Sequence, residues 1–292
     1  MKELKPLRVD ALVIGHGASG LLAASSLASD NNVVVVGKGA TATSLSTGCV
    51  SYIRKDILRQ EKGRIDLEAL AHSVYPFNDI IERSSLSLEE VLPEVSSFFL
   101  RSLSDQGLEM TDDAFHFFDM LTNAGTTYAC SIAPHFTASG RLDHLEGGRL
   151  ALMGIDGQRD LDPRLVAIMS ARSLEGVRVR PYLHELVRLK ERRCMSPAEA
   201  AFHMRSEEAR EELASAISGL SEEHVAIPPL FDLQGFHKGM SELCTATGRN
   251  VFELVTPMSL PGQRLQEAMM RSAAGHGCRL LRNHSAVKLE VN

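Results

Sequence analysis

The stretch Val9–Gly20, VDALVIGHGASG, decides how the chain folds. Five of its first six residues are apolar, and Val9, Val13 and Ile14 are β-branched, as in a strand buried on both faces. Gly15-His16-Gly17-Ala18-Ser19-Gly20 follows at once as a G-x-G-x-x-G, and Leu21–Ala28 is a helix-favouring run rich in Ala and Leu. The glycines therefore stand between a strand and a helix, the context that a nucleotide-binding turn requires. Gly15 would permit the tight turn, Gly17 would let the main chain approach a phosphate, and Gly20 would let the helix pack on the strand. The first-turn N–H groups of that helix, from Ala18 and Ser19 onward, lack partners within it and carry partial positive charge, which suits an anion. The alternative is a tight turn with no ligand.

Val33–Val36 reads as a second strand, joined through Asp30-Asn31-Asn32, which makes a parallel βαβ unit. Its end reads Gly37-Lys38-Gly39, where a dinucleotide site usually carries an acid for the adenosine ribose. A lysine cannot accept a hydrogen bond from a ribose but can neutralise a phosphate. The substitution argues against NAD and leaves a mononucleotide with a terminal phosphate. A merely solvated Lys38, or Lys38 on the 2′-phosphate of NADP, are the alternatives. The next segment, Ala40–Val50 (ATATSLSTGCV), packs five hydroxyls around Gly48 at the carboxyl end of the strands. Ser44, Ser46, Thr47 and Gly48 are candidates to hydrogen-bond the polar edge of a flavin ring, against the alternative of a plain polar loop.

Outward from this unit, residues 51 to about 118 carry helical spacing, first at Leu67, Leu70, Ala71 and Val74 and again over Leu88–Leu103, with Asp56, Glu61 and Arg64 on solvated faces. Residues 123–148 read as irregular, and Arg141 between Gly140 and Leu142 is a candidate for an anionic substrate. From Arg149 strands and helices alternate. Strands are expected at 150–155, 177–181 (ended by Pro181), 225–227, 251–255, 278–281 and 286–291. Helices are expected to open at Asp162-Pro163, at Ser196-Pro197-Ala198-Glu199 and at Pro261. Arg188, Lys190, Arg192 and Arg193 form a basic cluster balanced by Glu207, Glu208, Glu211 and Glu212. The expected fold is α/β: a Rossmann-like FAD/NAD(P)-binding fold with a parallel sheet, an inserted helical region and a second α/β unit. Its divisions are 1–50 for the first half of the flavin-binding domain, 51–148 for the excursion, 149–260 for the second unit, and 261–292 for the return. Two strands at the N-terminus are too few for such a sheet, so a further C-terminal part is expected to complete it.

With 292 residues, 44% hydrophobic and 23% charged, the composition is that of a globular protein. A net charge of −6 offers no basic field for nucleic acid, and no Trp with four Tyr offers no base-stacking platform. Neither a membrane-spanning run nor a signal peptide is legible, so a cytoplasmic location is expected. The five cysteines form no C-x-x-C and show no metal spacing, so no metal site is expected.

The opening VDALVIGHGASGLLAASSLA is similar to the flavoproteins with two dinucleotide-binding domains. The GKG turn with SLSTGCVSYI resembles the FMN-type subunit of anaerobic glycerol-3-phosphate dehydrogenases, where an Arg-Gly turn and a Ser-Ser-Gly loop occur. FTASGRLDHL resembles that family's T-x-x-G-T-L-R segment with Gly140 matching and the basic residue displaced. PMSLPGQRLQEAMMRSAAGHGCRLL resembles its P-P-S-x-x-G-x-R-L-Q segment, with Gly262, Arg264, Leu265 and Gln266 matching. The resemblance runs over essentially the whole chain, although family members continue past residue 292. It implies FMN, with FAD as the alternative, held by Gly15, Gly17, Ala18, Ser19, Gly20, Lys38, Gly39 and the Ser44–Gly48 loop. It also implies oxidation of sn-glycerol 3-phosphate to dihydroxyacetone phosphate with electrons passed to quinone. The implied partners are an FAD-containing catalytic protein and an iron–sulfur protein that could hold the complex at the inner face of the membrane. Arg141 and Arg264 are candidates for the substrate anion, and no catalytic base is assigned. A non-catalytic scaffold within such a complex is the second reading, and an NADP-dependent reductase the third.

Overall fold

The computed structural model describes residues 7–51, 66–73, 77–84, 87–112, 116–158, 160–187, 194–288 and 290. Strand β1 (Ala11–Ile14), helix α1 (Ala18–Leu27) and strand β2 (Val33–Gly37) form the N-terminal βαβ unit. Three helices follow, α2 (Leu67–Ser73), α3 (Phe77–Ser84) and α4 (Leu88–Ser104). Ser87 opens α4 with a capping box: Glu90 N–H donates to Ser87 Oγ and Ser87 N–H donates to Glu90 Oε2.

Residues 110–145, where the spacing predicts helix to about 118 and irregular chain from 123, hold four short strands and two single-turn helices among the described residues. These are β3 (Met110–Asp112), β4 (Phe118–Leu121), β5 (Thr127–Cys130), β6 (Ile132–Pro134), α5 (His135–Ala138) and α6 (Leu142–Leu145). β3 pairs with β6 and β4 with β5, both antiparallel. Three- and four-residue strands are too short to print a period-two pattern, which is why the sequence shows none of them.

Strand β7 (Arg149–Ile155), helix α7 (Pro163–Met169), strand β8 (Arg178–His184), helices α8 (Pro197–His203) and α9 (Glu207–Ser218), strand β9 (His224–Ile227), helix α10 (Leu233–Thr247) and strand β10 (Asn250–Glu253) come next. The four strands make one parallel sheet in the order β10-β9-β7-β8. Asp162 caps α7 from the residue before Pro163, and Ser196 with Glu199 forms a capping box on α8. Pro181 does not end β8, which continues to His184. β8 lies at the sheet edge, where the absent N–H of proline costs no ladder bond.

Helix α11 (Leu260–Gly275) and strand β11 (Arg279–Arg282) return to the first sheet, whose order is β1-β2-β11, all parallel. The expected last strand over 286–291 is corrected: residues 286–288 and 290 are not strand, and the remainder lies outside the described residues. Asn283, with φ +60°, turns the backbone out of the sheet after β11. β1 keeps one unpaired edge among the described residues, with Leu12 and Ile14 about half exposed.

The molecule is thus a mixed α/β fold with parallel and antiparallel sheets. α11 is buried nearly all round and packs against α1, α4 and α10. One continuous core joins Leu21, Val33 and Val35 of the first sheet layer to Met153, Val225 and Val251 of the second, through Leu265 and Met269 of α11. No described helix is long and apolar enough to cross a membrane.

Candidate functional site

The glycine turn lies at the carboxyl ends of β1 and β2. Gly15 N–H donates to Val36 O at 2.8 Å, and its φ of +108° is open to glycine alone at little cost. A Cβ on Gly20 would lie 2.1 Å from Gly15 O, so the helix sits directly on the turn. Gly17 is the N-cap of α1 and supplies no side-chain cap. That role passes to Thr43, whose Oγ1 accepts the Ala18 N–H at 2.9 Å across 25 residues. Gly15 and Ser19 are exposed, as are Lys38 and Gly39 at the end of β2. His16 folds over that end: a Cβ on Gly37 would fall 1.6 Å from His16 Nδ1.

The hydroxyl loop is tied to the turn and to itself. Thr41 Oγ1 accepts from Ser44 N–H at 3.0 Å and donates to Gln266 Oε1 at 2.6 Å, while Gln266 Nε2 donates to His16 O at 2.6 Å. Ser44 Oγ donates to Thr41 O, Ser46 Oγ donates to Thr43 O, and Thr47 Oγ1 accepts from Cys49 N–H. Gly48, with φ +73°, lies against Pro261. A Cβ on Gly262 would come within 2.5–2.8 Å of the carbonyl oxygens of Thr43, Ser44 and Ser46. The late Gly262–Gln266 motif therefore clamps the loop and the glycine turn together. Sequence reasoning missed Thr41, Thr43 and the bridging role of Gln266, since hydrogen bonds between such distant residues leave no local pattern.

The two candidate anion holders are engaged elsewhere. Arg141 makes a two-pronged contact with Asp143, at 3.1 and 2.9 Å, and stacks 4.7 Å above the Phe118 ring. Burial raises the Asp143 carboxyl, but the Arg141 hydrogen bonds and charge outweigh it and hold the group below its ordinary value. Arg264 is 1% exposed and lies on the Phe236 ring, donating to Phe231 O and to Glu253. These contacts hold neither guanidinium at the glycine turn. The basic cluster at 188–193 and the charged residues at 56, 61 and 64 lie outside the described residues.

The second sheet has its own reversal of strand order between β7 and β9, a place where open α/β sheets bind ligands. There Gln158 Nε2 donates to Pro229 O at 3.1 Å and Met195 N–H donates to Gly157 O at 2.7 Å, so the chain itself bridges the crevice. A groove of about 420 Å³ runs between α9 and α10, lined by Arg210, Glu242 and Thr245 among others, remote in sequence and in contacts from the turn. Among the described residues no three His, Cys, Asp or Glu side chains gather as metal ligands would. No protein-family model matches the chain, and no curated protein matches it.

Proposed function

We propose that the chain is a Rossmann-type flavin-binding protein that holds the phosphate of FMN at the Gly15–Gly20 turn. One observation carries this reading: an exposed glycine turn opens α1 at the carboxyl ends of two parallel strands. At Gly17 a Cβ would make only ordinary contact, 3.6 Å from Thr43 Oγ1, so the reading rests on the main-chain donors of the first turn of α1 and not on a steric need for this glycine. His16 supports a mononucleotide over FAD or NADP, because its ring covers Gly37, where the adenosine ribose of a dinucleotide would lie. Lys38, exposed beside that point, supplies a cation for a terminal phosphate. A bound flavin would supply the hydride chemistry; this chain would hold and orient it.

The substrate assignment rests on the order of the motifs alone. On that basis the chain assists oxidation of sn-glycerol 3-phosphate to dihydroxyacetone phosphate. It would do so beside an FAD-bearing protein and an iron–sulfur protein that passes electrons to quinone. It would work in the cytoplasm, held at the membrane through those partners.

The second reading is a scaffold that keeps the architecture without a cofactor. The Thr43 hydroxyl already takes the Ala18 N–H, and the Thr41, Ser44 and Ser46 hydroxyls are spent on Gln266 and on the loop's own carbonyls, which favours it.

Equilibrium dialysis against FMN and FAD separates the two. Ser19→Asp places an acid in the first turn of α1, where it repels phosphate yet suits the helix dipole. The expected result is FMN binding in the parent chain and a loss of roughly tenfold or more in the variant, with no fall in melting temperature. A chain that stays colourless and takes up neither flavin removes the flavin reading and leaves the scaffold.

A further inference from the structure

Helix α7 is apolar on both sides. Pro163 and Val166 are buried against the second sheet. Leu165 is 53% exposed, Ile168 73% and Met169 53%, on the side turned away from the sheet. At about 3.6 residues per turn, Arg164 and Arg172 fall on that same outer side, Arg172 through the 3₁₀ turn Ser170–Arg172 that continues the helix. The β7–β8 register sets Leu183 opposite Gly154, and a Cβ on Gly154 would meet Pro163 at 2.8 Å. Leu183, 58% exposed, therefore borders the start of α7 on the same face of the sheet. An outer helix ordinarily turns polar side chains to water. This one turns out three aliphatic side chains interleaved with two cations, and no acid lies among them. The cap Asp162 spends its carboxylate on the N–H groups of Arg164 and Leu165, at 3.0 and 3.2 Å. Glu175, in the connection to β8, is offset by the exposed Arg178. Among the described residues no ion pair engages Arg164 or Arg172.

We propose that the outer side of α7, with Leu183, docks the chain on an anionic lipid surface. Shape and charge select this occupant. A helix of seven residues is a convex ridge about 10 Å long, far short of the roughly 800 Å² that each partner of a stable protein interface covers. It offers no groove, and no Trp, Tyr or Phe stands on it as an anchor. A lipid surface requires neither: a few aliphatic side chains enter the boundary between headgroups and acyl chains, while arginine stems lie along it and hold their guanidinium groups among the headgroup phosphates. The chain as a whole carries a net charge of −6 and is repelled by an anionic bilayer, so the attraction is local to Arg164 and Arg172. The patch shares no residue with the glycine turn, so its failure and that of the flavin reading are distinguishable.

The test sediments the full chain with vesicles of phosphatidylcholine alone and of phosphatidylcholine mixed equally with phosphatidylglycerol. The expected outcome is binding to the mixed vesicles, about tenfold or more weaker on phosphatidylcholine, and falling as salt is raised. Leu165→Ser with Ile168→Ser should weaken binding to the mixed vesicles roughly fivefold or more, and so should Arg164→Gln with Arg172→Gln. All four side chains are exposed, so the melting temperature should stay where it is. Lys238→Gln, which removes an exposed cation on α10, should leave binding unchanged. No binding to either vesicle, equal binding to both, or variants that bind as the parent does, overturns the proposal. A parent chain that is dimeric in light scattering and becomes monomeric with Leu165→Ser and Ile168→Ser assigns the face to a second copy and overturns it too. The comparison of the two vesicles uses the unaltered chain, so it stands whatever the variants do.

Discussion

Arg264 Nη1 donates to Glu253 Oε1 at 3.0 Å, with the two side chains 1% and 0% exposed. Nη2 pairs with Glu253 Oε2, and the guanidinium lies on Phe236 with its carbon 3.7 Å from the ring centroid. The pair pins α11 to the end of β10. Removing one partner strands a charge in the core, so Glu253→Ala or Arg264→Ala should each cost about 3–5 kcal/mol in denaturant unfolding. The double variant Glu253→Leu with Arg264→Met should lose far less than the sum, because no orphaned charge remains. Equal additive losses would show that packing, not charge, sets the cost.

Gly20 and Gly39 make a matched pair of tests. A Cβ on Gly20 meets Gly15 O at 2.1 Å, a backbone atom that has nowhere to go. Gly39 has φ +75° and open space around it. Gly39→Ala should cost about 1–2 kcal/mol from backbone conformation alone. Gly20→Ala should cost more than that, or prevent folding, as read by circular dichroism and the unfolding midpoint.

Gln266 holds His16 O and Thr41 Oγ1 at once. Gln266→Leu keeps bulk but leaves both groups without this partner, at roughly 1–3 kcal/mol for unmet polar groups. Hydrogen exchange should then speed up in the 41–48 loop before it does in β2. Unchanged loop protection would mean that Gly262 packing alone holds the loop.

His224 sets a pH dependence. Burial pulls its imidazole below the ordinary value; the Glu223 charge opposes this and His144 adds to it. Asn250 Nδ2 lies 3.1 Å from His224 Nδ1, the arrangement of a neutral ring accepting a hydrogen bond. As pH falls below about 6.5, the unfolded chain takes up the proton first, so stability drops with acid down to the lower folded pKa. Above that range the group contributes no slope. His224→Gln, which still offers an acceptor to Asn250, should flatten the plot of urea midpoint against pH on the acid side of about 6.5. An unchanged slope would assign the acid sensitivity to other groups.

The sequence by itself determined the N-terminal βαβ unit. An apolar run, a glycine spacing and an Ala-rich helix are local signals, and backbone sterics turn them into one structure at Gly15 and Gly20. It also determined the starts of α7 and α8, because caps at Asp162 and Ser196 act within three residues. Only the tertiary structure decided that β11 joins β2, that β8 continues past Pro181, and that the pieces between 110 and 145 pair as they do. The same holds for the candidate site. The glycines were legible, but the Thr43 cap, the Gln266 bridge and the His16 cover on Gly37 were not. Arg264 was legible as part of a motif, yet its role is set by Glu253 and Phe236, which stand near it only once α11 is docked. A sequence pattern reports the periodicity of one element against solvent. Which polar atom meets which depends on how separate elements come to rest on a shared core.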